Sequence, residues 1–311
     1  LPGESQPWTA IPTHIVPGPP PRADNLVSAI GEWGMSVAAV APLWPADPMA
    51  SLLLRTSPAQ DGFLEPMADA DDGVRAVTES LIGMDWGYLA VQGPPGTGKT
   101  YLAAHVIKAL VEEHQWAVGV TAQSHKVIEN VLEAVVLDAG VNPEIVGKKR
   151  DKDGSSGNYV DIPENGFQGF ASLHSSTGYV VGGTAWDLTN RKRVLPRQLD
   201  LLVIDEAGQF SLANTIATAL SAKRVLLLGD PQQLPQVSQG IHPAPVDGSA
   251  LGHIIGGHAV LPSDYGYFLA ESRRMDAAVT EQVSRLAYDG QLRSHASTQG
   301  RHLEGVVPGL H

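Results

Sequence analysis

The sequence predicts an α/β fold, a parallel sheet doubly wound with helices on both faces. Three observations predict it. Short apolar runs recur from Tyr88 onward: "YLAVQ", "AVGVTA", "YVVGG", "LLVIDE" and "RVLLLGD". Runs such as Leu201–Ile204 and Val225–Leu228 show no polar alternation, as strands buried on both faces require. Helical patterns separate the runs, and strand–helix alternation builds a parallel sheet.

The elements follow in order. Residues 1–24 carry seven prolines, including "PGPPPR", and predict an extended linker. Asn25–Glu32 carry a short helical pattern, and the apolar stretch "ASLLLRT" receives no element. The acidic "MADADDG" (67–73) is expected to lead into a helix through Leu81. A helix from Lys99 puts Leu102, Val106, Ile107, Leu110 and Val111 on one stripe, facing the sheet. A helix from Ser124 offers Val127, Ile128, Val131, Leu132 and Val135, with Gly140 as its stop. Residues 148–166 predict a polar loop or small insertion, and a helix is expected near Gln209.

Composition bounds the function. A chain of 311 residues suits two domains, or one large domain with insertions. With 43% hydrophobic and 17% charged residues it can bury a core. The absence of cysteine excludes disulfides, thiolate zinc sites and cysteine-ligated iron–sulfur clusters within this stretch. The net charge of −12 argues against wholesale coating of nucleic acid, yet permits a local basic groove. No apolar run approaches the roughly 18 residues of a membrane span, so no membrane partner is expected. The start "LPGESQPW" has neither a signal pattern nor an initiator Met. A cytoplasmic piece of a longer polypeptide is the expectation.

Gly93-Pro94-Pro95-Gly96-Thr97-Gly98-Lys99-Thr100 fits G-x-x-x-x-G-K-[ST], between a strand and a helix. Backbone amides of such a loop point at phosphate oxygens, and the helix N-terminus adds partial positive charge. Lys99 is expected to reach the β- and γ-phosphates of ATP, and the Thr100 hydroxyl to bind Mg²⁺. An acid is then required at the end of a buried strand. "LLVIDEAGQF" supplies Asp205 to hold Mg²⁺ through water, and Glu206 to orient and deprotonate the attacking water. In "LLLGDPQQLPQV" a glutamine after the strand can bond both the γ-phosphate and that water, or form a plain polar turn.

Six stretches in order resemble superfamily 1B helicases, the group that includes the RNA helicase of nonsense-mediated decay and the nuclease-helicase that processes Okazaki fragments. "QGPPGTGKT" resembles their motif I and "TAQSHKVIENVL" (121–132) their motif Ia. "VVGGTAW" (180–186) is similar to motif Ic, "VIDEAGQ" (203–209) to motif II and "LGDPQQLPQV" (228–237) to motif III. "AESRRM" with "AYDGQL" (270–292) resembles the stretch around motif IV. More narrowly, "LAVQGPPGTGKTY" with "VTAQSHKVI" is similar to bacterial proteins that join a RecB-like nuclease domain to such a helicase, implying a nuclease upstream.

The resemblance implies a P-loop NTPase with a RecA-like sheet and the beginning of a second such domain. Residues 1–64 would then form a lead-in, 65–261 the ATPase domain with motifs I to III, and 262–311 the truncated start of its partner. Nothing after 292 resembles motifs V and VI. Gln233 matches the glutamine that contacts the γ-phosphate, and Arg274 the arginine finger of motif IV. Arg273 stands where the family usually has an aromatic, and Asp276 where it often has histidine. Ser124, His125 and Lys126 match the start of motif Ia, and Thr184 the strand-contacting position of motif Ic. Single-stranded nucleic acid, DNA before RNA, is the implied partner, with 5′ to 3′ movement. Gly73 falls where the family's adenine-reading glutamine is expected. The cluster Lys148, Lys149, Arg150 and Lys152 reads equally as a solvated loop or a strand contact, and His253 and His258 as loop histidines. A nucleotide-gated binding module that unwinds nothing is the competing reading.

Overall fold

The computed structural model describes residues 22–150, 157–234, 242–246 and 248–299. Most of the proline-rich stretch, Lys152, the end of "LGDPQQLPQV" and the residues from 300 onward lie outside them. Eight parallel strands form the main sheet: β1 (Gly87–Gln92), β2 (Ala117–Thr121), β3 (Val146–Lys149), β4 (Val160–Ile162), β5 (Tyr179–Gly182), β6 (Leu199–Ile204), β7 (Ala222–Gly229) and β8 (Gly266–Phe268). Their order is β4-β3-β5-β2-β6-β7-β1-β8. Two short strands, β9 (Glu271–Ser272) and β10 (Arg293–Ser294), pair separately.

Because side chains alternate across a strand, an unbroken apolar run serves two cores at once. Leu202, Ile204, Val225 and Leu227 enter one core, whereas Leu201, Val203, Leu226 and Leu228 enter the other. The first core is roofed by α1 (Asp24–Val40), α2 (Pro48–Leu54), α6 (Phe167–Leu173), α7 (Ala185–Leu188), α8 (Leu212–Ala219) and α9 (Ala250–Ile255), and the second by α3 (Gly73–Gly83), α4 (Lys99–His114) and α5 (His125–Glu133). A further helix, α10 (Ala277–Ala287), follows β9.

The expected stripe on α4 is fully realised. Leu102, Val106, Ile107, Leu110 and Val111 are all buried, each worth about 1.5–3 kcal/mol against exposure as an upper estimate. The helix after Ser124 continues past Glu133 as a π-helical turn, Ala134–Asp138, and Gly140 then leaves at φ +79°.

Several expectations need correction. The first helix runs to Val40 rather than Glu32. "ASLLLRT" belongs mostly to α2, which Asp47 caps by accepting from the Ala50 amide at 2.8 Å. The same carboxylate accepts from the Trp33 indole at 2.9 Å, locking α1 to α2. The helix expected near Gln209 starts at Leu212, because Ser211 is its cap. Residues 148–166 are no mere loop: β3 and β4 extend the sheet edge. The physical reason is Lys148, which is buried against the Glu129 carboxylate at 3.2 Å.

The strand Gly266–Phe268, from the segment expected to begin a second domain, pairs with β1 in the main sheet. No helix among the described residues is long and apolar enough to cross a membrane.

Candidate nucleotide-binding site

All strands of the main sheet point the same way, so their carboxyl ends share one edge, where ligands of open α/β sheets bind. At that edge β1, β7 and β6 are neighbours. The loop Gly93–Thr100 leaves β1, with the Gly93 amide bonded to the Gly229 carbonyl of β7 at 2.8 Å. Thr97 folds back on Pro94, its hydroxyl donating to the carbonyl at 2.8 Å. Lys99, in the first turn of α4, donates from Nζ to the Gly93 carbonyl at 2.8 Å. Its ammonium is thus held over the loop's hollow.

The carboxylate pair stands beside it. Asp205 follows β6, its amide bonded to the Thr121 carbonyl at 2.9 Å, and its side chain is buried. Burial, then the neighbouring Glu206 charge, raises its pKa from 3.8 to about 6, against the opposing pull of the Glu206 amide and Lys99. Glu206 has φ +52°, a left-handed backbone that costs a non-glycine residue energy and persists where surrounding structure enforces it. Here the Ala207 amide bonds the Leu228 carbonyl at 2.7 Å, and the Gln209 amide closes on the Glu206 carbonyl at 2.8 Å. Gly208 permits the crowding, since a Cβ there would overlap the Asp230 carbonyl. The carboxylate loop therefore lies directly on the loop that carries Gln232 and Gln233.

A cleft of about 480 Å³ opens over these groups. Pro95 through Thr100, Glu206, Gln233 and Arg274 all line it. Nearly every residue expected at the nucleotide thus converges on one hollow; Gly93, Pro94 and Asp205 are the expected residues that do not line it. The arginine segment is joined to the loop directly. The Arg273 amide donates to the Gly96 carbonyl at 2.8 Å, and the buried Ser272 hydroxyl donates to the Pro95 carbonyl at 2.9 Å. Arg273 itself reaches Asp71 at 2.8 Å.

The donor set suits a triphosphate with a hard cation. Backbone amides, Lys99 and Arg274 can meet phosphate oxygens. Thr100 and Asp205 offer only oxygen, which fits Mg²⁺, and a buried carboxylate held above its usual pKa gains from a nearby cation. Among the described residues no cluster of His, Cys, Asp or Glu forms another metal site. His253 sits instead in the last turn of α9 near the Leu53 carbonyl.

The residues expected at the strand stand farther along the same edge. β2 pairs with β5 with Val120 opposite Gly182, so the turns carrying Ser124 and Thr184 are neighbours. Ser124 caps α5 by accepting from the Val127 amide at 3.3 Å, which leaves its O–H free to donate. His125 opens that helix, and the Lys126 side chain is 72% exposed, 3.9 Å from Glu129. Thr184 is different: its amide and hydroxyl both donate to Asp187, at 3.0 and 2.8 Å. Asp187 in turn pairs with the buried Arg193. Of the basic cluster, Lys148 is buried, neither solvated nor available to a strand.

Sequence reading missed Ser272, whose signal was only its place beside the arginines. It also missed Tyr101, which lines the cleft and stacks on His105 at 3.9 Å between centroids.

A family model described as an AAA domain matches residues 70–246. The chain is 28% identical over 151 residues to the DNA replication ATP-dependent helicase/nuclease DNA2 of Saccharomyces cerevisiae, covering 48% of this chain and 10% of that protein. It is 25% identical over 173 residues to the RecBCD enzyme subunit RecD of Mycolicibacterium smegmatis, covering 51% and 27%. The chain therefore spans about a quarter or less of these relatives' length. A solved structure of Arterivirus nonstructural protein 10, a helicase, with DNA aligns at TM-score 0.45 and 18% identity, over 71% of this chain and 43% of that one. With the family model covering more than half of its length, this chain belongs to the AAA domain family.

Proposed function

We propose that the protein is an ATP- and Mg²⁺-dependent translocase that moves on single-stranded DNA. The supporting observation is the convergence of Lys99, Glu206, Gln233 and Arg274 on one cleft. Lys99 and Arg274 neutralise the charge that develops on the phosphates, Thr100 and Asp205 hold the cation, and Glu206 takes the proton of the attacking water. Mg²⁺, held by Thr100 and Asp205, would supply neutralising charge to the phosphates. Ser124, His125 and Lys126 grip the strand backbone at the same edge, so a change at the phosphates can reach the strand through β6 and β2. Thr184 joins that grip when its hydroxyl leaves Asp187.

The likeness to a protein described as a DNA replication helicase/nuclease supports an upstream nuclease domain in the same polypeptide, and DNA over RNA. Movement from 5′ to 3′ is proposed on the superfamily 1B motifs.

The test is ATP turnover by the full protein with and without single-stranded DNA. Stimulation by the strand is expected. Turnover that ignores the strand would leave an ATPase of another kind, and strand binding gated by ATP without movement would leave a switch.

A further inference from the structure

Asp230 directly follows β7 and is almost wholly buried, yet its partners are neutral donors. Oδ2 accepts from the Tyr288 hydroxyl at 2.6 Å and from Gln233 Nε2 at 3.3 Å. Oδ1 accepts from the Gln232 amide at 3.2 Å and lies 3.5 Å from Gln92 Nε2. Gln92 is the residue before the phosphate loop, fully buried, its own Oε1 accepting from the Leu261 amide at 2.7 Å. One carboxylate thus ties together the base of the phosphate loop, the glutamine turn and the residue that ends α10.

Tyr288 belongs to the segment that carries Arg274. That segment touches the cleft twice. At its start Ser272 and Arg273 bond the carbonyls of Pro95 and Gly96. Sixteen residues after Ser272, at the far end of α10, Tyr288 bonds Asp230. Its ring is packed with Val260, Leu292 and Phe268, so the hydroxyl is aimed rather than free. Burial, followed by the hydrogen bond to Asp230, raises the phenol pKa, which keeps it a donor.

We propose that Tyr288 is a positioning residue for hydrolysis: through Asp230 it sets the amide of Gln233 at the cleft and couples it to the segment bearing Arg274. The two donors share Oδ2, so their placement is linked. When Gln233 turns from Asp230 toward a γ-phosphate, Tyr288 retains the carboxylate, preventing it from following and Oδ2 from being left unpaired in the interior. This deepens the hydrolysis reading and rests on it.

Tyr288→Phe removes the hydroxyl and keeps the packed ring. In the full protein, strand-stimulated kcat is expected to fall roughly tenfold, as for one hydrogen bond to a charged group, while KM for ATP stays within twofold. The double variant Tyr288→Phe/Gln233→Ala is expected to be no slower than Gln233→Ala alone, since both act through one contact. Unchanged kcat, or losses that multiply, would overturn the proposal. A second readout needs no turnover. The side-chain amide resonance of Gln233, identified by its loss in Gln233→Ala, is expected to shift in Tyr288→Phe of the nucleotide-free protein. An unmoved resonance overturns the positioning role. If the wild-type protein hydrolyses nothing, the hydrolysis reading fails on its own, and the resonance still decides whether Tyr288 places Gln233.

Discussion

Gly96 and Arg274 touch: a Cβ built on Gly96 would overlap the Cβ of Arg274. The phosphate loop and the arginine segment, 178 positions apart, are in contact because Gly96 has no side chain. It also holds φ +78°. Gly96→Ala therefore meets both a strained backbone and an occupied space. A stability loss of about 1–3 kcal/mol is expected for the strain alone. Loss of nucleotide affinity should accompany it, because the arginine segment is displaced. Thermal unfolding and titration with a fluorescent ATP analogue measure the two effects.

Glu206 separates stability from turnover. Glu206→Gln keeps the shape of the side chain and removes the base, so hydrolysis should slow by ~10²–10⁴ while ATP still binds. Glu206→Gly also removes the base, but relieves the left-handed backbone at φ +52°. It is expected to stop turnover while raising stability by about 1 kcal/mol. A destabilised Glu206→Gly would show that the side chain anchors the loop.

Asp205 gives the metal-free protein a signed pH dependence. Its pKa is raised from 3.8 to about 6 in the folded state. Between those values the folded protein binds more protons than the unfolded chain, so this group's contribution to stability falls as pH rises from about 4 to 6. The full loss is on the order of 3 kcal/mol. Asp205→Asn keeps an oxygen for the Glu206 amide, which bonds it at 3.0 Å, and carries no charge. In chelator, the variant is expected to unfold at a higher temperature than wild type at pH 7.5 and to match it near pH 4. Equal melting at both values would place the Asp205 carboxylate in a better-solvated setting.

Lys148 carries the sheet edge. Its ammonium is buried 3.2 Å from Glu129, a partly exposed carboxylate that also lies 3.9 Å from Lys126, so removing Lys148 leaves a charge that keeps some water and one neighbouring cation. Lys148→Ala is expected to cost about 1–3 kcal/mol. Lys148→Met combined with Glu129→Leu should recover most of that loss. Urea unfolding of the single and double variants measures it, and a double variant as weak as the single would assign the loss to packing alone.

This same pair marks where sequence patterning runs out. The central strands were legible because Leu201–Ile204 and Val225–Leu228 are apolar throughout, which a two-faced sheet demands. The phosphate loop and the Asp205–Glu206 pair were legible because strand, loop and helix adjoin in sequence. "VGKK" (146–149) instead carries charge within a strand, and the burial of Lys148 depends on Glu129 on α5, a nonlocal partner. Similarly, nothing local to Tyr288 announces Asp230, 58 positions away. The convergence of Arg274 on Gly96 was legible only through the order of motifs. Thr184 was anticipated by its position in the motif order, whereas the partner of its hydroxyl, Asp187 three residues on, was not.

Lys126 and Thr184 should therefore differ in how they affect strand binding. The Lys126 ammonium is exposed and 3.9 Å from Glu129, a partner it can leave cheaply. Lys126→Ala removes one phosphate contact, so the slope of log K against log[salt] on single-stranded DNA should fall by about 0.7. The hydroxyl of Thr184 is donated to Asp187 at 2.8 Å, at the start of α7. Thr184→Val removes that bond at a cost of about 1 kcal/mol of stability and leaves the salt slope unchanged, because no charge is lost. Binding isotherms at four salt concentrations distinguish the two variants. A fall in affinity for Thr184→Val at an unchanged salt slope is expected of a hydroxyl that leaves Asp187 for the strand, making the α7 turn a moving part of the grip; unchanged affinity would show that Thr184 takes no part in it.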